Sequence, residues 1–393
     1  MARLGDICTV KSGYAFKSEH FSDEGIPVIR IGNITNDGLS LEDAVCFDED
    51  FWENNSNYRV HPNDILIAMS GATVGKSCLN ESNEKLLLNQ RVAAITAGNG
   101  VNVKYIFHII NSDYFTNYVL QNSAGCAQPN ISTKQLMNFE IRDVSRIIQD
   151  SIANTLDAVD ELITLRKEQL AKLDQLVKSQ FIELFGEPIA NQKNLPVKTL
   201  KEISTLITNG NTPKGGSENY VENGITFLRS QNVWRNKIVL DDVAYIDEET
   251  HESMKKSSVH HKDILITKTG RINTENSSLG RAALYLGEDD SANINGHVYL
   301  VRLDDTVVPE YVVTILTGEA YRRYIRKVCV GGIDKRQINL DQVEEFPIIL
   351  PPKEQQEQFA DFARQIDKSK LAIQQSLDKL ELLKKSLMQE YFG

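Results

Sequence analysis

The chain has 393 residues, 41% of them hydrophobic and 25% charged, and a formal net charge of −11. That length suits two domains with separate cores, and the composition is that of a soluble globular protein, not a disordered or fibrous one. No apolar run approaches a membrane span, and the opening MARLGDICTV lacks the apolar stretch of a secretory signal. The cysteines Cys8, Cys46, Cys78, Cys126 and Cys329 are scattered, odd in number and form no CxxC. They predict reduced thiols in a cytoplasm, not disulfides or zinc. Net acidity argues against a nucleic-acid partner only in part, because binding needs a local basic face. Acids gather at Glu42–Glu53 and bases at Arg322–Lys327, with Lys335 and Arg336 close behind.

In chain order, residues 1–144 read as a mixed domain. Short apolar runs IPVIRI, DILIAM and RVAAIT between Gly and Asn turns predict strands, and VKYIFHIINSDYFTNYVLQ predicts helix. Residues 145–190 read as a long helix with apolar positions at Ile152, Leu156, Val159, Ile163, Leu170, Leu173, Val177 and Leu184. The steps alternate between four and three, with polar Arg166 and Gln180 at skipped slots, which is a coiled-coil seam. Residues 191–350 repeat the first domain: HPNDILIAMSG returns as HHKDILITKTG, GIPVIRIGNI as GITFLRSQNV, and NQRVAAI as NGHVYLV. The spacing drifts, which predicts short loop insertions in the second copy. Residues 351–393 repeat the helix, with a seam at Phe359, Ala363, Ile366, Ile373, Leu377, Leu380, Leu387 and Tyr391, interrupted by Lys370 and Lys384. Both helices end in Phe-Gly, a preferred stop, and Pro351 and Pro352 precede the second.

A repeat of about 200 residues is too long for a solenoid and marks a duplicated domain-plus-helix unit. The expected fold class is α+β: two mixed α/β domains separated by two long antiparallel coiled-coil helices, related by a pseudo-two-fold axis. The first helix leads from one domain to the next and the second leads away, so paired seams must run antiparallel. Each is about 60 Å long at 1.5 Å per residue. Leu162, Leu165, Leu176, Phe181, Leu371 and Leu383 lie off the seam. They either pack on their own domain or meet partner helices.

Catalytic motifs fail one by one. SGATVGKS, Ser70–Ser77, has one residue too few between Gly71 and Gly75 for a phosphate loop, and the second copy has no Gly-Lys-Ser. His260 and His261 are strand neighbours that would point to opposite faces, a poor metal pair. There is no HExxH, GxSxG or GxGxxG. No catalytic residue and no metal site is predicted. What remains is binding. Polar residues stand beside the glycine turns at Arg30, Asn33, Ser70, Thr73, Lys76, Gln90 and Arg91 in the first copy. In the second they are Arg229, Gln231, Asn232, Lys268, Thr269, Arg271, Asn295 and His297, joined by Lys335 and Arg336. Singly each reads as a solvated turn or a cap, but the placement matches between halves, and these residue types suit phosphates and base edges. Where the copies differ, as at Gly75-Lys76 against Arg271 and its neighbours, two different sequences could be read.

Together these features resemble the specificity (S) subunit of Type I restriction-modification systems, over the whole chain. The most specific piece is FPIILPPKEQQEQFADF from Phe346, followed by the long helix. The paired D-I-L-I-x-x-x-G phrases, N-Q-R-V, and the domain openings ARLGDICTVKSG and VKTLKEISTLITNGNTPKGG add to it. The resemblance implies two target-recognition domains, each reading half of a bipartite site on double-stranded DNA. The helices would be conserved regions that set the spacing and dock two methyltransferase (M) subunits. Those partners would carry S-adenosylmethionine, and two restriction (R) subunits using ATP and Mg could join. The chain itself would be non-catalytic, bind no cofactor and be cytoplasmic. One departure stands out: the first copy reads FEIRDVSRIIQDSIANTL without Pro-Pro, and only Gln149 keeps step with Gln356. The alternatives are a coiled-coil scaffold with protein-binding end domains, and the specificity subunit of a Type IIB-like or phage-exclusion system.

Overall fold

The computed structural model describes residues 1–123, 129–274 and 276–393, so Cys126 lies outside the described residues. The chain divides into two compact units, Met1–Glu168 with Gln374–Gly393, and Gln169–Ile373. Each unit joins one globular part to segments of both long helices.

The first unit carries two four-stranded sheets. One runs Cys46–Phe47, Ile26–Ile29, Leu86–Leu88, Arg59–Val60, with Ile26–Ile29 and Leu86–Leu88 parallel. The other is fully antiparallel: Cys8–Ser12, Val92–Ala97, Ile65–Ala68, Ser77–Leu79. The second unit repeats both orders: Ala244–Ile246, Ile225–Leu228, Ala292–Ile294, Ser258–Val259, and then Ser204–Asn209, Val298–Leu303, Ile264–Thr267, Ala282–Leu284.

The Asp-Ile-Leu-Ile phrase is apolar without alternation because its strand is covered on both faces. Ile65 and Ile67 join the core under the helices, while Leu66 and Ala68 join the core between the sheets. Ile264 and Ile266 part from Leu265 in the same way. The Asp is buried too, and it holds the turn before the strand. Asp64 Oδ2 accepts from His61 N at 2.8 Å and Asp263 Oδ2 from His260 N at 2.7 Å. Asn63 (φ 66°) and Lys262 (φ 70°) take the left-handed conformation inside these turns. The remaining capacity is met differently in each copy, by the Thr96 hydroxyl on Asp64 and by bidentate Arg302 on Asp263.

The glycine of each domain opening is a close approach. A Cβ on Gly13 would sit 1.8 Å from Leu88 O, and one on Gly210 2.2 Å from Ile294 O. The four described cysteines are free and buried. Burial pushes the Cys8 thiol up to about 11 and Cys78 to about 12, so both stay protonated near neutrality.

The long helices span Arg146–Phe185 and Lys353–Phe392. In the first unit their segments run antiparallel, Asp160 pairing with Lys384 and Lys167 with Glu381. In the second, Lys370 meets Asp174 at 2.7 Å and the Phe181 ring meets that of Phe359. The two lysines that interrupt the second seam are therefore interhelical ion-pair partners, a use of polar seam positions that fixes register. Burial alone would lower the Lys370 pKa, but Asp174 and Asp367 raise it above its ordinary value.

Of the seam, Ile152, Leu156, Val159, Ile163, Phe359 and Leu377 are buried. Leu170, Leu173, Val177, Ala363, Ile366, Ile373, Leu380, Leu387 and Tyr391 are half-buried. One assignment is corrected. Leu184 is 42% exposed, whereas Phe181 and Phe185 are buried against Tyr311 and Phe359. Past Val177 the helix packs on its own globular core, and steps of four replace the heptad. Leu162, Leu165, Leu176, Leu371 and Leu383, the other off-seam residues, are all exposed.

Gln149 and Gln356 keep step for a structural reason. Gln149 Oε1 accepts from Asn102 N at 2.9 Å and its Nε2 donates to Val144 O at 3.0 Å. Gln356 does the same with Val308 N at 3.0 Å and Pro351 O at 2.9 Å. Each clips the start of a long helix to the start of the helix Val103–Ile110 or Pro309–Thr317. This explains why the first copy manages without Pro-Pro.

Candidate nucleic-acid interface

The turn after each parallel-paired strand is built by its asparagine. Asn33 Oδ1 accepts from Arg30 N at 2.9 Å and its Nδ2 donates to Ser40 O at 3.0 Å. Asn232 repeats this with Arg229 N at 2.9 Å and Val239 O at 2.9 Å. Both side chains are buried. Asn33 and Asn232, both candidate readers, each commit the amide oxygen and the amino group to holding the turn. The neighbours are partly committed as well. Arg30 reaches Asp43 O at 3.4 Å, and Arg229 meets Asp242 through its carbonyl at 2.7 Å and its carboxylate at 3.1 Å. Gln231 Nε2 donates to the same carboxylate.

The loop after the Asp-Ile-Leu-Ile strand differs most. SGATVGKS joins the strands Ile65–Ala68 and Ser77–Leu79, with Gly71 (φ 85°) and Gly75 (φ 87°) turning the chain. A phosphate loop needs a helix after Gly-Lys-Ser, and here a strand follows. Ala68 N donates to Lys76 O at 2.8 Å, and Thr267 N to Arg281 O at 2.9 Å. Lys76 is thus the counterpart of Arg281, not of Arg271, which corrects the alignment of the two copies. The insertion in the second copy lies in this loop, residues 268–281 against 69–76.

In the first unit Thr73, Gln90 and Arg91 are exposed, while Lys76 and Ser70 are half-buried. Ser70 Oγ finds no partner among the described residues. In the second unit His297 is exposed, its amide held by Asn295 Oδ1 at 3.0 Å. Lys268 lies 5.7 Å from the Tyr299 ring centre.

Four predicted residues of the second unit do come together. Gln231, Thr269, Arg271 and Lys335 line one open groove, with Trp234, Asn276 and Arg281. The strand Thr269–Arg271 pairs antiparallel with Lys335–Gln337, which sets Arg271 opposite Lys335 and Gly270 opposite Arg336. Like charges facing each other across strands repel, and Asp334 offsets this by meeting Arg271 Nε at 3.4 Å. Asn295, His297, Lys268 and Asn232 do not line this groove.

Sequence reasoning missed Trp234 and Arg281. The Arg281 guanidinium stacks 3.9 Å from the Trp234 ring centre, and its Nε donates to Ser277 O at 3.0 Å. Burial lowers its pKa and the neighbouring Arg235 lowers it further. Arg235, Arg281, Arg322 and Arg326 surround one small adjoining cavity, so this acidic chain has a locally basic face. Trp234 is one of two tryptophans, a signal available in the sequence, but its partner lies far along the chain.

One sheet frame is built twice, with loops that differ between the copies. The chain belongs to the Type I restriction modification DNA specificity domain family, which matches residues 1–175 and again 192–382. It is 23% identical over 183 residues to the Type I restriction enzyme MjaVIII specificity subunit of Methanocaldococcus jannaschii, covering 45% of this chain and 43% of that one. It is 30% identical over 182 residues to the Type I restriction enzyme EcoAI specificity subunit of Escherichia coli, covering 45% of this chain and 30% of that one. The chain therefore spans less than half the length of these curated relatives. A crystal structure of the Type-I restriction-modification system S subunit from M. genitalium aligns over 100% of this chain and 95% of that one. Its TM-score is 0.60 at 16% identity, a likeness of fold. Among the described residues no helix is long and apolar enough to cross a membrane.

Proposed function

We propose that this chain is the DNA-specificity subunit of a cytoplasmic Type I restriction-modification complex. Each globular part reads one half of a bipartite site on double-stranded DNA. The long helices set the gap between the halves and dock two methyltransferase subunits. The chain is non-catalytic and holds no cofactor. S-adenosylmethionine belongs to the methyltransferase subunits, and ATP and Mg to restriction subunits where these join.

The observation that carries this reading is the duplicated frame with unlike loops, Lys76 standing where the other copy has Arg281. A repeated scaffold with different loops suits a target written in two different parts. The basic groove of the second unit suits phosphates and base edges. The exposed leucines of both helices suit partner helices.

The test is a methylation map. The chain is co-expressed with its neighbouring methyltransferase and host DNA is sequenced for modified adenine. A split motif with two short defined parts and a fixed gap is expected. Unmodified DNA, with that methyltransferase active beside another specificity subunit, would point to a coiled-coil scaffold with protein-binding ends.

A further inference from the structure

In the second unit Val330–Gly331 and Thr269–Arg271 both pair with Lys335–Gln337 in a small sheet. At the matching place the first unit has the single bridge Ser70–Asn130 among the described residues. The turn of this hairpin carries Ile333, which is 91% exposed. The turn is not frayed. Ile272 N donates to Asp334 O at 2.9 Å, Gly332 N to Lys335 O at 3.2 Å, and Arg336 Nε to Gly332 O at 3.2 Å. The Asp334 carboxylate lies 3.4 Å from Arg271 Nε. Gly331, at φ 131°, takes a conformation that L side chains rarely adopt.

A single exposed apolar side chain is ordinary on a protein surface. Ile333 differs in its setting, because a stitched backbone frame holds it out and two cations stand on one side of it, Lys335 next to the turn and Arg271 on the strand paired with Lys335. On the other side the partner strand is Val330–Gly331, while Arg271 and Lys335 line one groove with the Trp234–Arg281 stack. An apolar tip with cations beside it is complementary to duplex DNA, which offers phosphates along the edge of a groove and apolar base faces and thymine methyls inside it.

We propose that Ile333 is an apolar probe that this hairpin places in the DNA groove at the half-site read by the second unit, with Arg271 and Lys335 on the flanking phosphates. The inference rests on the proposed function and adds a specificity-determining residue to it.

The test uses the full chain assembled with its methyltransferase, comparing wild type with Ile333→Ala and Lys335→Ala. Methylation maps are read together with binding titrations on three duplexes: the mapped site, the site altered in one half, and the site altered in the other. Ile333→Ala should relax one or two adjacent positions of one half only. It should cut discrimination at those positions on the order of tenfold. Lys335→Ala should weaken all three duplexes alike and lower the salt slope by about one. An unchanged Ile333→Ala motif with unchanged titrations overturns the proposal. So does an equal loss on all three duplexes, which would make Ile333 a non-specific contact. Absence of any split motif from the wild type is a different failure, that of the proposed function, and it removes this inference as well. Thermal melts check that the variants remain folded, as expected for a side chain this exposed.

Discussion

Gln149 is buried, and both ends of its amide are used by backbone groups of its own unit. Gln149→Leu would leave the Asn102 amide and the Val144 carbonyl without partners, at a cost of about 1–3 kcal/mol. The two tryptophans, Trp52 and Trp234, fall one in each unit, so each reports on its own unit. The expected result is a lower urea midpoint in the Trp52 signal of a Trp234→Phe background, and an unshifted midpoint would reject the clip. His108 supplies a pH dependence in the same unit. It is buried, and its Nε2 donates to Asp157 Oδ1 at 2.8 Å. Burial lowers its pKa below 6.5 more than Asp157 raises it. As pH falls through about 6.5 the unfolded chain takes up a proton that the folded chain refuses, so stability decreases. Asp157, held low by Lys104 and His108 despite its own partial burial, loses its contribution only in far more acid solution. His108→Gln should flatten the fall in urea midpoint between about pH 7.5 and 5.5. An equal fall in the variant would mean that other groups carry it.

At the scale of elements, the helix segments are bonded to their own globular parts by ion pairs of opposite sense. In the first unit Lys104 meets Asp157 at 2.6 Å, and in the second Glu310 meets Arg364 at 2.9 Å. Acid and base have changed sides, so a helix segment exchanged between copies would face a like charge. The apolar surface the helices leave open has a separate consequence. Leu162 and Leu165 are 44% and 45% exposed and lie one helical turn apart on the first long helix. The double variant Leu162→Lys, Leu165→Lys should fold as wild type, since neither side chain is in the core. It should lose at least tenfold in retention of the methyltransferase subunit, given that burying one leucine is worth about 1.5–3 kcal/mol. Retention at the wild-type level in a pull-down would free these leucines of that role.

For the whole molecule, the proposed function makes helix length a measure of half-site separation. Removing one heptad from both long helices keeps the seam in phase. It should shorten the gap in the methylated motif without changing either half, and an unchanged gap would separate spacing from the helices. The architecture behind this was legible in the sequence because its signals are local and repeated. Continuous apolar strands such as Ile65–Ala68, the three-four seam from Ile152, and the two copies of each phrase need no knowledge of neighbours in space. So the sequence by itself determined the duplication, the mixed domains and the long helices. Only the tertiary structure decided where the heptad gives way, because Phe181 displaces Leu184 from the interior by packing on Tyr311 and Phe359. It alone showed that Asn33 and Asn232 hold their turns, since their partners Ser40 and Val239 enter through the turn's own folding. It also set Lys76 opposite Arg281 and stacked Arg281 on Trp234, pairings fixed by strand hydrogen bonds across a loop of unequal length. Periodicity records which face a residue shares, whereas a site is made of side chains brought together from distant segments, and no local pattern encodes that meeting.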